Sequence, residues 1–382
     1  MNTINDEFQS DKAHLIKFNQ DYSLFSIGTE RGYKIYETFP ISGIHEKILY
    51  GGISLCVLSY RSNYLALVGG GKLPKYTNKK VILYNDAEDC IESEFKFTTP
   101  VKNVKFKKNL IFIVLEKKIY VFNVENSQNI DSFDTIVNKK GMIAINGSPN
   151  KTIMAHPIQF NDQPDKGYVG IKNYKTNKYF PLLVHEESLS NMAMDHYGLL
   201  LATVNDKGTI IRIHSIEDKT LVYECRRGKD KAFINYLAFD VNYKYFGITS
   251  DRGTIHIWKL NDIVEKNYSM KSYSAAVNKN NNNNLKTNTI KNEYIFIETD
   301  NKNNINDKEE RDKFKVKKIK NYKSETSFGK IKINNPRCIF CFKPEDLVII
   351  ITLDGKYGFS RIEKKGGYFN YIEKELKNRI IE

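Results

Sequence analysis

The strongest constraint on the fold of this chain is a unit that recurs along it. A short apolar run is followed by a four-residue turn that opens with Thr, Ser or Asn, carries an Asp or Glu and ends in Gly, and then by a second short run. The unit reads GTERGYKIYE at 28–37, VNDKGTIIRI at 204–213, TSDRGTIHIW at 249–258 and TLDGKYGFSR at 352–361. Glycine at the turn tolerates the positive φ of tight hairpins, and the run after it alternates so that one face packs inward. Gly208 and Gly253 are 45 residues apart, the length of one four-stranded propeller blade.

Other apolar runs have the same character. YSLFSIG at 22–28, YLALVGG at 64–70, LIFIVLE at 110–116, KIYVFNV at 118–124, LLLATV at 199–204 and KYFGITS at 244–250 are rich in Ile, Val, Leu, Phe and Tyr and bounded by polar punctuation. These are strand signals, and no segment carries a long capped helical stripe. The tract 261–326 differs in kind: positions 278–306 hold 12 Asn in 29 residues, and 308–323 is a charged run. Neither can bury a core. With that tract set aside as an inserted loop, the 382-residue chain divides into about seven units of about 40 to 50 residues. The expected fold is all-β, a single seven-bladed β-propeller over 1–382, with units starting near Ala13, Gly52, Ile91, Asp131, Tyr179, Leu221 and Ser327. The insert falls between the third and fourth strands of the sixth blade. Circular closure explains how so many strands dispense with helices, because a closed ring leaves no long open sheet edge.

Composition narrows the chemistry. At 41% hydrophobic the chain can close a large core, which excludes a wholly disordered protein. The net charge of +14 points to an anionic partner without choosing among nucleic acid, acidic protein and membrane. Residues 180–259 hold ten Lys/Arg against ten Asp/Glu, so this region has none of the diffuse basic field that a nucleic-acid groove needs. No nucleic-acid partner is expected. Five scattered cysteines fit a reducing compartment, and the lone CxxC of Cys338 and Cys341 lacks a second ligand pair. No metal and no cofactor are expected. Gly69-Gly70-Gly71-Lys72 lacks phosphate-loop spacing, and neither Gly-x-Ser-x-Gly nor His-Glu-x-x-His occurs, so the chain is not expected to be an enzyme. No secretory signal is read at the N-terminus, and the longest apolar run, LVIIITL at 347–353, is far short of the ~20 residues of a membrane span. A cytosolic monomer is expected.

The informative segment is LVYECRRGKDKAFINYLAFD at 221–240, with Arg226 and Arg227 followed by Gly228. Neighbouring side chains of a strand point to opposite sides, so this pair serves two pockets more readily than one. The segment resembles the Arg-Arg-Gly hallmark that opens the sixth blade in the PROPPINs, WD-repeat-like propellers that bind phosphoinositides in autophagy. The resemblance extends over VHEESLSNMAMDHYGLLLATVNDKGTIIRI at 184–213 and SDRGTIHIW at 250–258. It resumes at SFGKIKINNPRCIFCF, 327–342. Cys225 stands where that family has Leu or Phe, and Asn205 where it has a serine.

The resemblance implies two rim sites for phosphatidylinositol 3-phosphate or the 3,5-bisphosphate. The first would use His185, Thr203, Thr209, Arg212 and Arg226; the second, Arg227, Ser250, Thr254 and His256. Guanidinium groups grip phosphate bidentately, and hydroxyl and imidazole groups complete a polar pocket. The insert would supply a membrane-contacting loop, with Tyr294, Ile295, Phe296 and Ile297 as its apolar cluster. The expected setting is peripheral, on phosphoinositide-marked membranes. Protein partners of the lipid-transfer or conjugation-machinery kind would dock on loops of blades two and three, including 69–80. The competing reading is a WD-repeat scaffold that binds only proteins.

Overall fold

The strand signals fold into seven antiparallel sheets. The computed structural model describes residues 11–160, 163, 165–260 and 324–376, and within them every element is a strand. Each sheet is built on a meander of four strands. Blades one to five span 13–48, 53–96, 103–134, 144–185 and 189–226. Blade six combines 234–259 with Gly329–Lys332 and, beside that strand, Gly367–Phe369, and blade seven combines 338–361 with Ile372–Glu375. The seven-bladed propeller is the fold the repeat pattern implies, and residues 261–323 fall between the third and outermost strands of blade six. No helix among the described residues is long and apolar enough to cross a membrane.

The phase of the repeat differs from the sequence reading. The third to sixth units were expected to start at Ile91, Asp131, Tyr179 and Leu221, but these residues lie in the outermost strands of the preceding blades: Cys90–Lys96, Asn129–Asp134, Lys178–His185 and Leu221–Arg226. Ser327 likewise leads into the outermost strand of blade six rather than opening blade seven. Periodicity fixes the length of a repeat; where one sheet stops hydrogen bonding and the next begins is a tertiary fact. The end of the insert also needs correcting. Glu325–Thr326, counted with it above, pairs parallel with Leu221–Arg226 and so extends blade five.

Innermost strands of neighbouring blades lie against one another around the axis, from Ala13–Phe18 of blade one beside Ile53–Leu58 of blade two to Cys338–Lys343 of blade seven beside blade one. Among the described residues the apolar core separates into seven clusters, one in each gap between adjacent blades. Second strands such as Leu24–Thr29, Leu200–Asn205 and Tyr245–Ser250 are buried at every position. This explains why their sequences are continuous apolar runs rather than strict alternations. Cys338 and Cys341, three apart on one strand, enter different clusters, one facing blade six and the other blade one.

The recurrent turns hold these strands in register. Gly208 and Gly253 have φ of 65° and 68°, and their amides donate to the carbonyls of Asn205 and Ser250 three residues back. A Cβ on Gly208 would also stand 2.0 Å from the carbonyl oxygen of Ala232.

Blades one and seven complete the ring without exchanging a strand: each sheet draws its strands from its own end of the chain. Closure rests on a cluster of Ile16, Phe25, Ile27 and Tyr36 against Cys341, Ile349 and Ile351, and on Lys343 Nζ donating to the Tyr22 carbonyl at 2.9 Å. Ile349→Ala or Ile351→Ala is therefore expected to cost about 2 to 5 kcal/mol. Ile372→Ala, at a residue 65% exposed, is expected to cost under about 0.5 kcal/mol. Urea unfolding followed by the fluorescence of Trp258, the single tryptophan, checks both. Trp258 lies in the gap between blades five and six, so a closure variant that leaves its midpoint unchanged would show that the ring does not unfold as a unit.

Candidate functional site

The arginine pair ends the outermost strand of blade five. Leu221–Arg226 buries Val222, Tyr223 and Cys225 in the cluster shared with blade six, while Arg226 is exposed. Cys225 packs as a small apolar residue, and burial pushes its thiol well above the ordinary value. The pair thus closes blade five, rather than opening blade six as the sequence reading had it.

On the side of that strand facing blade four, three cross-strand neighbours form a row. Thr203 is opposite Arg212, and Arg212 is opposite Glu224. Arg212 Nε donates to Glu224 Oε2 at 2.9 Å, and its Nη1 donates to the carbonyl of Val184 at 3.3 Å. The next residue of blade four is His185, 3% exposed, whose Nε2 has no hydrogen-bond partner among the described residues. Burial and the Arg212 charge push its pKa down to about 3, so the imidazole is neutral. Thr203 Oγ1 donates to the Arg212 carbonyl at 3.3 Å. Arg226, two residues beyond Glu224 and on its side of the strand by alternation, has one long hydrogen bond among the described residues, Nε to Ser324 Oγ at 3.5 Å. Most of its guanidinium fork faces water.

Thr209, 9% exposed, belongs to the turn above this row. Its amide donates to Asn205 Oδ1 at 3.2 Å, as does that of Ile210 at 3.3 Å. Asn205 Nδ2 reaches Glu187 at 3.1 Å. The asparagine that departs from the family pattern therefore closes the turn itself, as an Asx residue does.

The second group lies in the gap toward blade six. Arg227 Nε donates to the Gly208 carbonyl at 2.7 Å and its Nη2 to the Asp230 carbonyl, while its amide donates to the Thr209 carbonyl at 2.9 Å. The Gly208 and Asp230 carbonyls tie the guanidinium to the blade-five turn and to the link that leads into blade six. His256, 7% exposed, stands opposite Ile248 on one side and Lys330 on the other. Its Nδ1 lies 3.1 Å from Ser327 Oγ. Burial, then the Lys330 and Arg227 charges, push its pKa down to about 4. Ser250 is fully buried and its Oγ accepts the Arg252 amide at 3.4 Å; Thr254 begins the following strand, partly buried.

The structure thus brings His185, Thr203, Arg212 and Arg226 to one side of blade five, with Thr209 at the turn, and Arg227, Ser250, Thr254 and His256 to the other. Tyr294, Ile295, Phe296 and Ile297 lie outside the described residues. Three features escaped the sequence reading. Glu224 neutralises Arg212; its spacing of two from Arg226 was the available signal. Lys330 adds positive charge beside His256, and Arg252 beside Arg227. The strap 324–327 runs between the two groups, with Ser324 at Arg226, Glu325 accepting from Tyr223 and Trp258, and Ser327 at His256. Nothing local in the sequence marks that strap, because its partners are about 70 to 100 residues away.

Comparison with known proteins gives a consistent result. A family model described as PROPPIN matches residues 13–288. The chain is similar to Autophagy-related protein 18e of Arabidopsis thaliana, with 31% identity over 67% of this chain and 68% of that protein. It is 28% identical to SVP1-like protein 2 of Debaryomyces hansenii over 65% of each chain, just under two thirds of that relative's length. In fold it matches a solved complex of KlAtg21 with the coiled coil of AgAtg16, at a TM-score of 0.69 and 18% identity, covering 96% of this chain and all of that one. With seven sheets in a ring and a family match that spans most of its length, the chain belongs to the PROPPIN family.

Proposed function

We propose that this protein binds phosphatidylinositol 3-phosphate, and the 3,5-bisphosphate, at two rim sites flanking the outermost strand of blade five, and that it brings autophagy or vesicle-trafficking partners to the marked membrane. The family is one of phosphoinositide-binding, autophagy-related propellers; the choice of lipids and the assignment of residues are this proposal. The observation that carries it is the disposition of Arg226 and Arg227. Adjacent in sequence, they serve opposite sides of one strand, and each side also holds a buried neutral histidine and threonine or serine hydroxyls. A guanidinium fork matches phosphate geometry, and a neutral imidazole N–H and hydroxyls suit the inositol oxygens.

The two sides are electrostatically unequal. In the first, Glu224 already occupies Arg212, leaving Arg226 as the free cation. In the second, Arg227 is flanked by Arg252 and by Asp251 and Asp230, and Lys330 stands beside His256. Two weak sites on one membrane act as linked ligands and gain about 10² to 10⁴ over either alone. The insert of residues 261–323, after which the described chain resumes with Ser324 at Arg226 and Ser327 at His256, would supply the third contact through Tyr294 to Ile297 with Lys291 nearby. No step of this function is catalytic. The coiled-coil partner in the Atg21 complex supports docking of a helical conjugation-machinery component, with the loops of blades two and three as its surface.

Liposome flotation at fixed salt tests the proposal, with phosphatidylinositol 3-phosphate set against an equal charge of phosphatidylserine. Arg226→Thr and Arg227→Thr are each expected to weaken selective binding by about ten- to a hundredfold, the value of a charge-assisted hydrogen bond of about 1.5 to 3 kcal/mol. The double variant should not float. Glu224→Gln should strengthen binding several-fold by releasing Arg212. Equal flotation on both lipids, or a double variant that still floats, would leave the propeller as a protein scaffold.

A second test reads the histidines. A bound phosphate favours the charged imidazole, so a soluble short-chain phosphatidylinositol 3-phosphate should raise the pKa values of His185 and His256 from about 3 and about 4. His156, buried in blade four with a pKa near 4, should not move. Histidine NMR titration separates these cases, and a lipid that shifts none of the three overturns the residue assignment.

A further inference from the structure

A second cationic site lies on the propeller axis, away from the rim. A cavity of about 100 Å³ is lined by residues of blades one to six, and only a position on the axis lets six blades touch one space. This is room for several waters. Its lining includes Lys17 of blade one, Lys105 of blade three and His196 of blade five, and no Asp or Glu.

Among the described residues the two lysines lack counter-charges. Lys17 Nζ donates only to the neutral Asn103 Oδ1, at 3.3 Å, and Lys105 makes no hydrogen bond or ion pair with any described residue. Lys107, two residues further along the same strand, shows the contrast: it is fully buried, and its Nζ is taken up by the carbonyls of Asn146 and Ser148. His196 Nδ1 also has no partner among the described residues. The acid that acts on His196 is Asp21, outside the lining, and neither lysine feels it. Burial pushes Lys17 down to about 7, with the Lys105 charge adding to the effect, and burial lowers Lys105 as well. Proteins pair the charges they enclose, because an unpaired ammonium surrounded by protein is costly. Two lysines from different blades lining one water-accessible cavity without a carboxylate make a site for a negative ligand, whose charge would hold both as ammonium groups.

We propose that the axial cavity binds a tetrahedral oxyanion, phosphate or sulfate or the phosphoryl group of a small metabolite, between Lys17 and Lys105, with His196 and Asn103 as polar neighbours. The anion supplies the missing counter-charge and ties blade one to blade three across the axis. The site is separate from the rim arginines, so it stands or falls without them.

The test uses the full-length Arg226→Thr/Arg227→Thr protein, which removes phosphate binding at the rim. Equilibrium dialysis against labelled inorganic phosphate and, separately, labelled inositol 1,3-bisphosphate measures retention. Melting in sulfate against chloride at equal ionic strength measures stabilisation. The rim variant is expected to hold one phosphate per chain and to melt higher in sulfate. Adding Lys17→Met and Lys105→Met should weaken retention at least tenfold and abolish the sulfate effect. These variants should melt no lower than the parent in chloride, since methionine removes an unpaired charge at similar length. Lys105→Met alone serves if the double substitution does not fold. Retention of the inositol bisphosphate but not of phosphate, lost in the lysine variants, assigns the site to a phosphorylated metabolite. No retention of either ligand by the rim variant, or retention and sulfate stabilisation that survive both lysine substitutions, overturns the proposal. Lipid flotation with both lysines intact reports separately on the rim.

Discussion

Side-chain packing between adjacent blades is the interaction on which the rest of this molecule depends. Hydrogen bonds hold strands within a sheet, but a four-stranded sheet alone would expose both of its apolar faces. Each blade buries them against its two neighbours, so its stability is borrowed from both sides, as in other repeat architectures. A row of such blades would leave two faces bare, and closing the row into a ring removes them. Here the last gap is sealed by apolar side chains of blades one and seven rather than by a shared strand. A buried aliphatic side chain contributes about 1.5 to 3 kcal/mol, so the seven or so core residues of that gap can offset the entropy of bringing the chain ends together, which grows only slowly with loop length.

The rim follows from the same geometry. A gap between blades is apolar near the axis and opens toward the periphery, where outermost strands diverge and polar side chains reach water. His185, Thr203 and Ser250 are buried at this boundary, where the side walls remain apolar and the histidines are held neutral. The strand Leu221–Arg226 forms a wall of two gaps at once, which is why consecutive arginines reach different environments. The insert returns across this wall, adding Glu325–Thr326 to blade five before joining blade six. The stretch 324–327 is therefore anchored between the two groups of candidate ligands.

Much of this was legible in the sequence because it is local. The Asn205 to Gly208 and Ser250 to Gly253 turns announce themselves by residue type, since few side chains accept a φ near 65°. The runs around Leu200 and Phe246 read as strands, and the structure buries them on both faces. Parity alone placed Arg226 and Arg227 on different sides. What could not be read is whatever depends on partners distant in the chain. Glu224 was visible as a residue, but its pairing with Arg212 depends on strand register, which a bulge between Ile213 and His214 resets within the same hairpin. Nothing local in the sequence singles out Lys17 or Lys105, and 88 residues of sequence separate two lysines that line one cavity.

The sequence by itself determined the number of blades, the turns that join their strands, the place of the insert and the residue pair that marks the rim. All of these are set by backbone preferences and by hydrophobic periodicity over about 45 residues or fewer. Only the tertiary structure decided where one sheet ends and the next begins, which arginine is free and which is spent on a carboxylate, how the ring is sealed, and what charge collects on its axis. Those are properties of contacts between blades, and a chain settles them only once all seven surround a common centre.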